Sequence, residues 1–138
     1  MVLVCPTDLL KLHKKDMNIA IIGGRDFNDF DLMKKTLVDF MGGNRTFLNA
    51  IVSGGAKGAD TLAEKFADEI GVEKIIFRPN YEKYGRLAAL QRNTEIIENA
   101  DIVFAFWDGK SRGTQKKKKK AKKMDKILHI INYETLAK

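Results

Sequence analysis

Ile51-Val52-Ser53-Gly54-Gly55-Ala56-Lys57-Gly58-Ala59-Asp60 decides the fold: an apolar run breaks into a glycine-rich turn, and the turn opens an amphipathic helix. Upstream, Phe47 to Val52 is short, apolar and partly β-branched, as suits a strand buried on both faces. Downstream, Ala59, Leu62, Ala63, Phe66, Ala67 and Ile70 recur at helical spacing, and Gly71 follows as a stop. A strand, a glycine turn and a helix in that order are the grammar of a phosphate site. Glycine lets backbone approach a ligand, and the free N–H groups of a helix start favour an anion. The same glycines also serve a plain tight turn. Lys57 does not stand in the Gly-Lys-Ser/Thr order of a P-loop.

Outward from this segment, strand-like runs alternate with helical ones, the pattern of an α/β domain with a parallel sheet. The expected strands are Asn18–Gly23, Phe47–Ser53, Glu73–Arg78, Ile102–Trp107 and Ile127–Asn132. Helices are expected over Asp29–Met41, Lys57–Ile70, Gly85–Asn99 and Thr114–Asp125. Met33, Leu37, Phe40 and Met41 mark the core face of the first, and Leu87, Leu90, Thr94 and Ile97 that of the third. The chain of 138 residues, 44% hydrophobic, reads as one domain at 17–138 preceded by an appendage at 1–16.

No apolar stretch approaches the roughly 20 residues of a membrane span, so no membrane partner is expected and a cytoplasmic location is. A single cysteine, Cys5, with only His13 and His129 gives no disulfide and no zinc pattern. The net charge of +7 is local: Lys116, Lys117, Lys118, Lys119, Lys120, Lys122 and Lys123 supply all of it, so the rest of the chain is neutral. Such a stripe serves either as a solvated helix face or as a phosphate contact for nucleic acid. Lys117, Ala121 and Met124 share a face, which predicts a helix with a thin apolar side packed at a sheet edge, away from the ligand rim.

Ligands of doubly wound sheets sit beyond the carboxyl ends of the strands, where strand order reverses. Each strand exit should then carry glycine or polar residues, and four of them do. They are Gly23-Gly24-Arg25-Asp26, Ser53-Gly54-Gly55, Arg78-Pro79-Asn80-Tyr81, and Asp108-Gly109-Lys110-Ser111-Arg112-Gly113-Thr114.

Those exits, with Tyr84-Gly85-Arg86, Arg92-Asn93 and Phe106-Trp107-Asp108-Gly109, resemble the motifs of the SLOG superfamily over Asn18 to Asn132. That Rossmann-like group joins the Smf/DprA DNA-processing proteins with the LOG phosphoribohydrolases, and the small YspA-like branch is the closest match. The branch carries a tryptophan and an alanine-glycine pair around its third motif, where this chain has Tyr81 and Ala88-Ala89. The resemblance implies a Rossmann-like three-layer sandwich with a mainly parallel five-stranded sheet, a pocket for a nucleotide or nucleotide derivative, and a homo-oligomer. It requires no cofactor.

On this reading Gly23, Gly24 and Arg25 form one phosphate cradle and Ser53, Gly54, Gly55, Lys57 and Asp60 a second. Ser111, Gly113 and Thr114 open another anion-binding helix end, and Arg92 and Asn93 line the pocket as in related proteins. Asp108 is the candidate for acid or base work at a glycosidic bond or for holding a ribose hydroxyl, against a turn-forming Asp-Gly. Tyr81, Tyr84 and Trp107 are candidates to stack a base. The phosphoribohydrolases carry a glutamate three residues after the Gly-Thr pair, where this chain has Lys117. An ammonium cannot do carboxylate work, so the leading expectation is nucleotide binding, as a sensor or an enzyme of another kind. The alternatives are N-glycosidic cleavage through Asp108 and single-stranded DNA binding through the lysines.

Overall fold

The computed structural model describes residues 17–41 and 48–133; the expected appendage at 1–16 and Phe47 lie outside them. Strands β1 (Met17–Gly23), β2 (Leu48–Ser53), β3 (Glu73–Ile76), β4 (Ile102–Trp107) and β5 (Ile127–Asn132) form one sheet in the order β3-β2-β1-β4-β5. Every pairing is parallel. The helices are α1 (Phe30–Met41), α2 (Ala59–Ile70), a short α3 (Tyr81–Tyr84), α4 (Ala88–Glu98) and α5 (Arg112–Lys123), with a 3-10 turn at Gly85–Leu87 before α4. Among these described residues no helix is long and apolar enough to cross a membrane.

Strand alternation explains the three layers. Ile19, Ile21, Ile51, Phe104 and Phe106 point to one face, where Met33, Leu37, Ala63 and Phe66 of α1 and α2 cover them. Ala20, Ile22, Val52, Val103 and Ala105 point to the other, against Ile96 and Ile97 of α4 and Ala121 of α5. Central strands buried on both faces read as continuous apolar runs, which is why β1, β2 and β4 were plain in the sequence. Small alanines on the second face let α4 and α5 sit close.

Caps set the element ends. Asp29 Oδ1 accepts the Leu32 N–H at 3.0 Å to start α1, and Gly71 closes α2 in the left-handed region at φ 73°. Two expectations need correction. The helix expected over Gly85–Asn99 is broken: Gly85 has φ 57° and ψ −128°, outside helical geometry, so α4 begins only at Ala88. Its core face also differs, since Leu87 and Leu90 are 63% and 51% exposed while Ala88, Ile96 and Ile97 are buried. The inward row therefore runs 88, 92, 96, and it carries Arg92 towards the sheet.

The lysine helix is the second correction. Although α5 packs on β4, the edge strand β5 and α4, its first turn stands at the ligand rim rather than away from it. Its buried face is Thr114, Lys118 and Ala121. Order along the sheet reverses between β1 and β4, because the chain runs outward through β2 and β3 and then crosses back. A crevice opens at that point.

Candidate functional site

A cleft of about 450 Å³ occupies the switch point at the carboxyl ends of β1 and β4. Gly23 to Asp26 leaving β1 form one wall, Ala56, Lys57 and Asp60 the second, and Ala89, Arg92 and Asn93 of α4 the third. Asp108, Ser111, Gly113, Thr114 and Lys117 form the fourth, and Tyr133, just past β5, closes the side. The structure thus brings together eleven of the residues expected from sequence: Gly23, Gly24, Arg25, Lys57, Asp60, Arg92, Asn93, Asp108, Ser111, Gly113 and Thr114.

Ser53, Gly54 and Gly55 do not line it. Ser53 is buried at the end of β2. Arg92 Nη1 donates to the Gly54 carbonyl at 2.8 Å, and Arg78 Nη1 to the Gly55 carbonyl at 3.1 Å. A Cβ on Gly54 would lie 2.6 Å from Arg92 Nη1, so absence of a side chain is what lets the guanidinium settle on the turn. Gly58, at φ 77°, does a similar thing for backbone. Its missing Cβ would stand 2.3 Å from the Gly24 carbonyl oxygen, which accepts the Ala59 N–H at 3.2 Å, so the β1 exit and the α2 start are locked together.

The fourth wall is shaped by Asp108. Its Oδ1 accepts the N–H groups of Lys110 at 2.8 Å and Ser111 at 2.7 Å, bending the chain through Gly109 (φ 87°) into α5. Those two donors hold its carboxyl below the usual carboxylate range, so it is ionised at neutral pH. Trp107 braces the same loop, its indole N–H donating to the Ser111 carbonyl at 3.0 Å while the Lys118 ammonium lies 3.2 Å over its ring. That face of the indole is therefore occupied. Ser111 makes no side-chain cap on α5, which leaves the first-turn N–H groups without that partner at the cleft wall.

Cations outnumber carboxylates around the cleft: Arg25, Lys57, Arg92 and Lys117 face Asp26, Asp60 and Asp108. Asp60 is 3% exposed and already accepts the Ala56 N–H at 3.1 Å. Burial pushes the Lys117 ammonium below the ordinary lysine range; Asp60 opposes that shift, and Arg92 and Arg25 add to it. The cleft wall thus combines a small excess of cations with helix N–H groups that lack a side-chain cap.

Asp26, Ala56, Ala89, Lys117 and Tyr133 line the cleft as well, and none of them was among the expected ligand residues. Lys117 stands four residues after Gly113, so helical spacing alone puts the two on one face. Tyr133 packs against Phe27, with ring centroids 4.8 Å apart. Tyr81 is 64% exposed and lies off the cleft, and Tyr84 lines a neighbouring cavity.

The family model for the YspA, cpYpsA-related SLOG family matches residues 17–84, from β1 through α3. The Gene 61 protein of Mycobacterium phage D29 is 30% identical over 121 residues, which cover 83% of this chain and 94% of that protein. Among solved structures, DNA processing protein A of Helicobacter pylori, a protein that binds single-stranded DNA, superposes with a TM-score of 0.64 at 24% identity over 87% of this chain and 67% of that one. DprA of Streptococcus pneumoniae gives 0.65 at 20% identity over 89% of this chain, which spans about half of that protein's length, 51%. These likenesses establish a shared fold. With a parallel sheet reversing between β1 and β4 and the sequence matches just described, the chain belongs to the YspA, cpYpsA-related SLOG family.

Proposed function

We propose that this chain binds a nucleotide or nucleotide derivative in the switch-point cleft and recognises it without cleaving its glycosidic bond. One observation carries the reading: Arg25, Arg92 and Lys117, from three separate elements, converge on the same cleft as the uncapped start of α5. Guanidinium and ammonium groups with helix N–H donors are the chemistry of phosphate recognition. The cleft is of a size suited to small ligands.

Cleavage is disfavoured on chemical grounds. A leaving base needs a protonated acid or an oxocarbenium-stabilising carboxylate at the sugar. Lys117 is a cation where a carboxylate would be needed, and Asp108 is ionised, which removes it as the acid and leaves only its Oδ2 outside the backbone turn.

Calorimetry against a panel of nucleoside phosphates, ADP-ribose and cyclic dinucleotides tests the reading. At least one should bind, and Arg25→Ala should weaken it by about tenfold, as loss of a charged hydrogen-bonding partner does. A panel with no binder, or an Arg25→Ala variant with unchanged affinity, sinks it. Release of free base from a bound nucleotide would instead support the glycosidic alternative.

A second reading, single-stranded DNA binding, draws on the likeness to the Helicobacter pylori protein and on the lysines of α5. It predicts affinity for oligonucleotides that falls steeply with salt.

A further inference from the structure

A second cavity, of about 340 Å³, lies beside the first at the end of β3. Arg78, Lys83 and Arg92 line it against one carboxylate, Glu95, and Tyr84 contributes a ring. Arg92 borders both cavities, so they are neighbours with a guanidinium in the shared wall. Both arginines are anchored on the Gly54-Gly55 turn: Arg92 grips one carbonyl and Arg78 the next. Arg92 also donates Nε to Asn93 Oδ1 at 3.0 Å. A guanidinium has five N–H donors, and these bonds leave donors on both arginines unspent while fixing each in place. Lys83 is exposed, with its ammonium 5.2 Å from the Tyr84 ring centre.

We propose that this second cavity is a subsite for the next nucleotide of a phosphodiester-linked ligand. Arg78 and Lys83 hold its phosphate, Tyr84 offers a face to its base or sugar, and Arg92 sits between the two phosphates. The proposal rests on the reading of the switch-point cleft as a nucleotide site and adds the ligand class: at least two linked nucleotides, whether a free dinucleotide or part of a single strand. Two cationic cavities sharing one arginine suit a ligand with an anion on either side of a nucleoside. A mononucleotide fills only one.

Calorimetry with thymidine 5′-monophosphate, the dinucleotide pTpT and a longer oligothymidylate separates the possibilities. The dinucleotide should bind the wild-type chain about tenfold or more tighter than the monophosphate, since it adds charge-assisted contacts. Lys83→Ala, an exposed change, should remove part of that gain and leave monophosphate affinity unchanged. Arg78→Gln should do the same, with its melting curve reporting any loss of the Gly55 contact. Equal affinity for the monophosphate and the dinucleotide overturns the second subsite while leaving the first cleft standing. A Lys83→Ala variant that weakens both ligands alike also overturns it. No binding of any of the three overturns the second subsite, while the first cleft stands or falls by the wider nucleotide panel. An oligothymidylate tighter than pTpT identifies a strand as the source, whereas equal affinity identifies a free dinucleotide; either supports the shared chemistry.

Discussion

A Cβ at Gly58 would stand 2.3 Å from the Gly24 carbonyl oxygen, on backbone whose φ of 77° already disfavours an L side chain. At Gly113 a Cβ would meet nothing within 4 Å, in the first turn of α5. Gly58→Ala should therefore cost about 2–4 kcal/mol, from left-handed strain together with a clash that only backbone movement relieves. Gly113→Ala should stabilise by up to about 0.5 kcal/mol through helix propensity. The same methyl would nevertheless crowd the cleft wall, so nucleotide affinity should fall as stability rises. Urea denaturation and calorimetry on both variants check this, and a Gly113→Ala chain that binds as the wild type does would remove that glycine from the site. Residue type alone does not distinguish these duties, because both glycines stand at a strand exit and only the neighbour across the gap differs. Asp108 gives a similar lesson. Its two backbone acceptances favour the turn-forming role that the Asp-Gly pair already offered in the sequence.

At the scale of elements, the lysines of α5 divide by facing. Lys118 is 6% exposed, bonded to Gln115 Oε1 at 3.0 Å and seated over Trp107; Lys120 donates to Thr94 Oγ1 at 2.6 Å across to α4; Lys119 and Lys123 face solvent. Lysine stems pack as hydrocarbon while their heads find a ring or a hydroxyl. A hydropathy pattern counts each lysine as polar all along its length, so the stripe looked uniform in the sequence and its inner face was hidden. Lys118→Ala should cost about 1–2 kcal/mol in urea denaturation, whereas Lys119→Ala and Lys123→Ala should stay within about 0.5 kcal/mol. If the outward lysines serve a nucleic acid, the outward pair and not Lys118 should flatten the salt dependence of oligonucleotide binding. The break before α4 shows the other limit of periodicity: Leu87 and Leu90 have helical spacing with Thr94 and Ile97, but Leu87 falls in the 3-10 turn that Gly85 opens and Leu90, in the first turn of α4, is exposed while Ala88 is buried.

Across the whole molecule, the strands and the rim were legible because most strands hold a short apolar run and four of the exits carry glycine or charge, whereas the strand order came only with the structure. What stayed hidden depended on long-range contact: Arg92 reaches back 38 positions to Gly54, and Arg78 reaches back 23 to Gly55. Lys117 is placed by the same assembly. Arg25 beyond β1, Asp60 in α2 and Arg92 in α4 surround its ammonium, with Lys57, Asp26 and Asp108 farther along the same walls. The folded chain holds the Lys117 proton less tightly than the unfolded chain does. Between the two pKa values the unfolded state binds more protons, so stability should rise with pH there, and below that window Lys117 costs stability. An anion in the cleft favours the ammonium and offsets that cost. Nucleotide affinity should hold steady above the second phosphate ionisation, near pH 6, and then decline as pH passes the lowered Lys117 value, earlier than an exposed lysine would allow. Lys117→Arg keeps its charge throughout and should abolish the alkaline decline while still binding. Calorimetry across neutral to alkaline pH decides it: a decline of equal size in both proteins would place the titrating group elsewhere and remove Lys117 from phosphate recognition.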